Sequence, residues 1–177
     1  MTQSPRLTFL LLSALIAAHA QGQTISLQGT NLGAIPDGAG TGPNNYGAPR
    51  DVRFLVNSPG TAQDVRFQIQ AAHTYVGDLK VTLISPQGIE HLAFERTGAT
   101  TASAAGSPAN LVLIPGQGYT FRDDSANNWW TIAGTTDVNI AASDARTVIA
   151  GPTTAPAAVT SINAAFADRP IAGTWIL

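Results

Sequence analysis

Beyond residue 20 no helical period is sustained; short alternating or apolar runs recur instead, each closed by Gly, Pro, Asn or Asp. This punctuation restricts the chain to β structure, because period-2 alternation buries one face of a strand while a helix needs apolar residues every third and fourth place. "VRFLV" (Val52–Val56) is one such run, stopped by "NSPG". In "DVRFQIQAAHTY", Val65, Phe67, Ile69, Ala71, His73 and Tyr75 share one face, with Arg66, Gln68 and Gln70 on the other. That pattern predicts a half-buried strand. "LKVTLIS" (Leu79–Ser85), the turn "PQG" (Pro86–Gly88) and "IEHLAF" (Ile89–Phe94) read as a hairpin. "NLVLIP", "YTFRDD", "WWTIAG" and "GTWIL" are further strand candidates, residues 97–109 read as a flexible loop, and Ala141–Ala165 as loop or a short helical turn. Seven or eight short strands at this spacing predict an all-β fold, an antiparallel β-sandwich or jelly roll.

The first twenty residues stand apart. Arg6 precedes the apolar run Leu7–Ala18, and "AHA" (Ala18–Ala20) has the small-x-small form of a signal peptidase site. The run is shorter than the roughly 20 residues a membrane span needs. Residues 1–20 are therefore expected to be a signal peptide, residues 21–32 an N-terminal segment, and residues 33–177 one domain exported to the periplasm or the medium. An exported chain with no cysteine that is rich in Ala, Gly and Thr points to a bacterial source. The lack of cysteine also excludes a lipoprotein anchor, a thiol nucleophile and a thiolate metal site. Nine basic residues against eleven acidic ones, with no basic cluster, argue against nucleic acid and anionic membrane surfaces as partners.

Three groups of residues invite a chemical reading. Asp37, His73 and Ser85 follow one another in the order of a subtilisin triad. No Gly-Thr-Ser nucleophile turn and no His-Gly-Thr helix start accompany them, so no catalytic residue is assigned. His73 is expected to be a core histidine bonded to backbone or to a nearby carboxylate; His91 lies near the return strand. Asp78 ends the "YVGD" turn, where it would either cap backbone N–H groups or bind Ca²⁺. Asp123 and Asp124 repel each other, so a cation would relieve them, and Asp78, Asp123 and Asp124 form the candidate calcium set, with Asp37, Asn127 and Asn128 as further oxygens. "DDSANNWWTIAG" does not fit an EF-hand loop. Finally, if Trp129 and Trp130 lie on a strand, only one can face inward. The other would pack on a loop or neighbouring domain, or stack on a sugar, which keeps a carbohydrate-binding or adhesion module as the alternative.

"IPD" (Ile35–Asp37), "HTYVGDLKVTLISPQG" (His73–Gly88), "FRDDSA" (Phe121–Ala126) and "GTWIL" (Gly173–Leu177) come in an order that resembles the P domain (P/Homo B domain) of proprotein convertases and kexin-like subtilases. The resemblance spans residues 33–177. It implies a galactose-binding-like β-sandwich without catalytic residues of its own. Such a domain stabilises or regulates a subtilisin-like serine endopeptidase, or mediates contacts in a secreted multidomain protein. Two departures stand out: the P-like region starts directly after the expected signal, and family members continue past the Gly-Thr-Trp strand into another strand pair. The sandwich is therefore expected to lack its last strands.

Overall fold

The computed structural model describes residues 24–38, 42, 45–134 and 138–177. The expected signal peptide lies outside them. The described chain forms two sheets. One has the order β1-β7-β3-β4, built from β1 (Arg53–Val56), β7 (Gly173–Ile176), β3 (Lys80–Ile84) and β4 (Glu90–Glu95). The other has the order β2-β5-β6, from β2 (Phe67–Ile69), β5 (Tyr119–Phe121) and β6 (Asp144–Ala145). Two five-residue helices, α1 (Trp129–Ala133) and α2 (Ile162–Phe166), complete it. The all-β, two-sheet class is as expected.

The antiparallel expectation holds for every strand pair but one. β6 runs parallel to β5, with Thr120 opposite Asp144 and Phe121 opposite Ala145. A parallel pair needs a crossover of a dozen or more residues, and the connection between these strands, which contains α1, supplies it. β7 is an interior strand: Trp175 lies opposite Phe54 on one side and Ile176 opposite Ile84 on the other.

Three segments depart from the sequence reading. The predicted strand over 64–75 pairs only at Phe67–Ile69, after which the chain bends so that His73 bridges Leu111. "NLVLIP" accordingly contributes bridges rather than a strand, at Asn110 and Leu111. "WWTIAG" is a helix. Asn128 is its N-cap, its side-chain oxygen accepting from the Trp130 N–H at 2.8 Å, while its amide donates to the Ala157 carbonyl at 2.8 Å. Consecutive residues on a helix are about 100° apart, so both indoles can turn inward, which a strand forbids. Trp129 and Trp130 are 1 % and 3 % exposed.

Trp129 sits at the centre of the core. Its ring lies 4.8 Å from Phe94, 5.1 Å from Phe121 and 5.9 Å from Tyr119, and Phe67 stacks on Phe121 at 5.0 Å. These rings come from both sheets and α1, so the aromatic cluster joins all three. Its indole N–H donates to the buried Thr97 hydroxyl at 3.1 Å, leaving no orphaned polar atom on the ring. The sugar-stacking reading loses its platform here, because neither adjacent indole is available at the surface.

Candidate interaction site

The His73–Gly88 stretch is built by sharp turns. Tyr75 adopts the left-handed conformation (φ +79°) and starts a one-turn 3-10 segment, Val76–Asp78. Gly77 is buried against the 97–109 loop: a Cβ there would lie 2.6 Å from the Ser107 nitrogen. The Tyr75 hydroxyl donates to the Gly106 carbonyl at 3.3 Å, fastening the same loop. Leu79 then enters the core and begins the hairpin. At the far end the Ser85 hydroxyl accepts from the Ile89 N–H at 3.2 Å, and Gly88 takes a positive φ of +76° that a side chain would strain. Tyr75, Gly77, Ser85 and Gly88 thus each have a backbone or packing reason to be there.

His73 is mostly buried, its side chain 15 % exposed, at the rim of the core. Of the two partners expected for it, the carboxylate is the one found: Nε2 lies 2.7 Å from an Asp78 oxygen. Asp78 therefore holds the imidazole instead of capping backbone N–H groups, and its side chain remains 59 % exposed. Beside this pair lies an open depression of about 480 Å³, bordered by Ala72, His73, Thr74, Leu111, Leu113 and Asn139. Leu113, on its border, is 54 % exposed, and Ile114 and Val138, each next in sequence to a bordering residue, are exposed as well. The Asn110 N–H donates to the Val138 carbonyl at 2.9 Å, which brings these two segments together. Exposed aliphatic side chains beside a polar pair, over a lining that mixes Leu111 and Leu113 with Thr74 and Asn139, suit contact with another macromolecule.

The three candidate calcium carboxylates each serve a different partner. Asp123 accepts from the Ser161 hydroxyl (2.6 Å) and from the N–H groups of Ile162 (2.8 Å) and Asn163 (2.9 Å), fixing the start of α2. Burial alone would raise its pKa, but these donors outweigh it and hold the carboxyl below its ordinary value. Asp124 is bonded by the Arg122 guanidinium, with Arg66 at 3.5 Å, and the Arg122 bonds bring its pKa down to about 2. The repulsion between the two aspartates is thus relieved by an arginine and a helix start. Asp78 is engaged by His73. Among the described residues no three His, Cys, Asp or Glu side chains converge, and Asp78, Asp123 and Asp124 do not come together as one donor set.

Ser85 and His73 do not meet either. Ser85 is buried and its hydroxyl belongs to the hairpin turn, while His73 Nε2 belongs to Asp78. A buried group missed by the pattern reading is Arg96, 3 % exposed with a positive φ of +48°. Its guanidinium donates to the Ala102 carbonyl at 3.0 Å and to that of Ala104, pinning the 97–109 loop behind Gly77. Because it stands between Glu95 and Thr97, where the strand run gives way to a small polar loop, it reads as a surface residue, and only the tertiary fold reveals its burial.

The class this geometry defines is a two-sheet β-domain in which, among the described residues, His73 and Ser85 serve separate turns and do not meet. Residues 62–111, which contain β2, the 3-10 turn, the β3–β4 hairpin and the loop pinned by Arg96, match the family model of the proprotein convertase P-domain. The resemblance carried by His73–Gly88 is therefore shown over that segment. Comparison with curated proteins gave no match, and neither did comparison with solved structures.

Proposed function

We propose that this chain is an exported, non-catalytic P-domain-like module that stabilises or regulates a subtilisin-like serine endopeptidase. The single observation that supports this most is the P-domain match over residues 62–111, the stretch that builds the His73–Asp78 turn and one wall of the depression. In this reading the protease domain covers Leu113, Ile114 and Val138, and the rigid turn sets the docking angle. Its contribution is thermodynamic: a partner that binds only the folded protease raises the protease's stability by mass action. Export rests on residues 1–20, and amino-terminal sequencing of the exported protein should begin at Gln21.

The test is a time course of peptide hydrolysis by a subtilisin-like catalytic domain from the same source, near its inactivation temperature, with and without this chain. The expected result is a longer active half-life with the chain present and no hydrolysis by the chain alone. An unchanged half-life, or hydrolysis by the chain alone, would contradict the proposal.

A further inference from the structure

His91 occupies a very different setting from His73. It lies on β4 beneath α2, 7 % exposed, with Nε2 2.9 Å from the Thr147 hydroxyl, which in turn lies 2.7 Å from that of Thr160. Phe166 of α2 meets the ring edge-on, at 6.1 Å between centroids. The Thr147 hydroxyl can accept from either protonation state of the imidazole, so it does not favour the neutral form. Burial does, because an imidazolium would face Phe166 and aliphatic walls instead of water.

Charged groups on the surrounding elements offer the imidazolium little. Glu90 neighbours it on β4 but is exposed, and Lys80 and Glu95 are at the other end of the hairpin. Arg146, on the segment that carries Thr147, is itself a cation. Within α2 there is no titratable residue; Asp123 caps its start and is committed to three donors, and Arg169 lies past its end. His91 accordingly titrates below its ordinary value, mainly through burial, with Asp123 opposing.

Phe166 covers His91 from above, but the cover is interrupted to one side. A groove of about 450 Å³ opens beside it, between Glu90 and Leu92 of β4, Ile149, and the small side chains Ala164 and Ala165 of α2. Tethers hold α2 at both ends. Asn163 accepts from the Val65 N–H at 2.8 Å, and the Ala62 N–H donates to the Arg169 carbonyl at 2.9 Å. Lifting of the helix is thereby confined to its own length. We propose that α2 is an acid-released flap: protonation of His91 lifts it from β4 and widens the groove beside it, exposing Phe166.

The sign follows from the direction of the shift. With the docked-state pKa below that of the released state, docking is fully supported above the ordinary histidine value of about 6.5 and weakens as the pH falls below it. Hydrogen exchange read by mass spectrometry, corrected for intrinsic rates, tests this at about pH 7.5 and about pH 5. In the wild type, α2 amides should exchange roughly tenfold faster at the acid pH, while β2 and β5 stay unchanged. In His91→Gln, which can still bond Thr147 but carries no charge, the acid effect should vanish. No acceleration in the wild type, or equal acceleration in both proteins, overturns the proposal. Should the variant fail to fold, an NMR titration of the wild-type imidazole decides. A midpoint below about 6.5 with α2 amide shifts following it supports the flap, and a midpoint at or above that value overturns it.

Discussion

The turn-and-hairpin region (residues 73–96) and the helical region (residues 123–134 and 138–166) both send residues into the core, yet they are held by different means. In the first, the contacts run largely through backbone: Gly77 packs on the Ser107 nitrogen of the adjoining loop, Ser85 closes on Ile89, and Gly88 takes a positive φ. In the second, side chains reach across long stretches of sequence: Asp123 to Ser161, Asn128 to Ala157, Trp129 to Thr97. Turns and close backbone approaches tie residue identity to backbone geometry, so they read directly as sequence motifs. Long-range side-chain bonds do not, because either partner alone looks ordinary.

Four substitutions sharpen that contrast, and denaturant unfolding measures them all. Trp129→Ala, which empties the centre of the aromatic cluster and strands the Thr97 hydroxyl, should cost about 3–5 kcal/mol. Gly77→Ala, which forces a methyl onto loop backbone, should cost about 1–3 kcal/mol, and a near-neutral result would show that the loop yields freely. Asp123→Ala removes three donors' acceptor and should cost about 1.5–3 kcal/mol near neutral pH. Since this carboxyl is held below its ordinary value, that contribution is present above about pH 4 and is lost as the pH falls through the folded pKa. The wild-type and variant curves should therefore converge in acid. Asp78→Asn, at an exposed pair, should cost about 0–1 kcal/mol, and a larger loss would mean that the His73 bond organises the turn. Smallest of all is calcium: unfolding midpoints with Ca²⁺ and with chelator should coincide, and a clear rise with Ca²⁺ would reveal a site beyond the arrangement of Asp78, Asp123 and Asp124 seen here.

Legibility in the sequence followed the same division. β1, the β3–β4 hairpin, β5 and β7 were readable from alternation and turn residues, and the family resemblance sat in the turn-and-hairpin stretch. "WWTIAG" misled because its composition favours strands, while the decisive signal, Asn128 as N-cap, lies one residue before it. The parallel β5–β6 pair was invisible because a two-residue strand leaves no period to detect. Adjacency of Asp123 and Asp124 drew attention to a cation, yet their real partners, Ser161 and Arg122, become neighbours only through the fold. His73 and His91 look equivalent as letters in strands; burial and partner chemistry separate them completely.

The central claim is that the apolar surface beside the His73–Asp78 turn receives a subtilisin-like catalytic domain. Calorimetric titration of the chain into such a domain, with Leu113→Asp/Ile114→Asp as the comparison, addresses it most directly. The account predicts saturable binding by the wild type, weakened about tenfold or more by the two buried charges in a variant that unfolds at the wild-type midpoint. Absence of binding by the wild type, or equal affinity in both proteins, would contradict it.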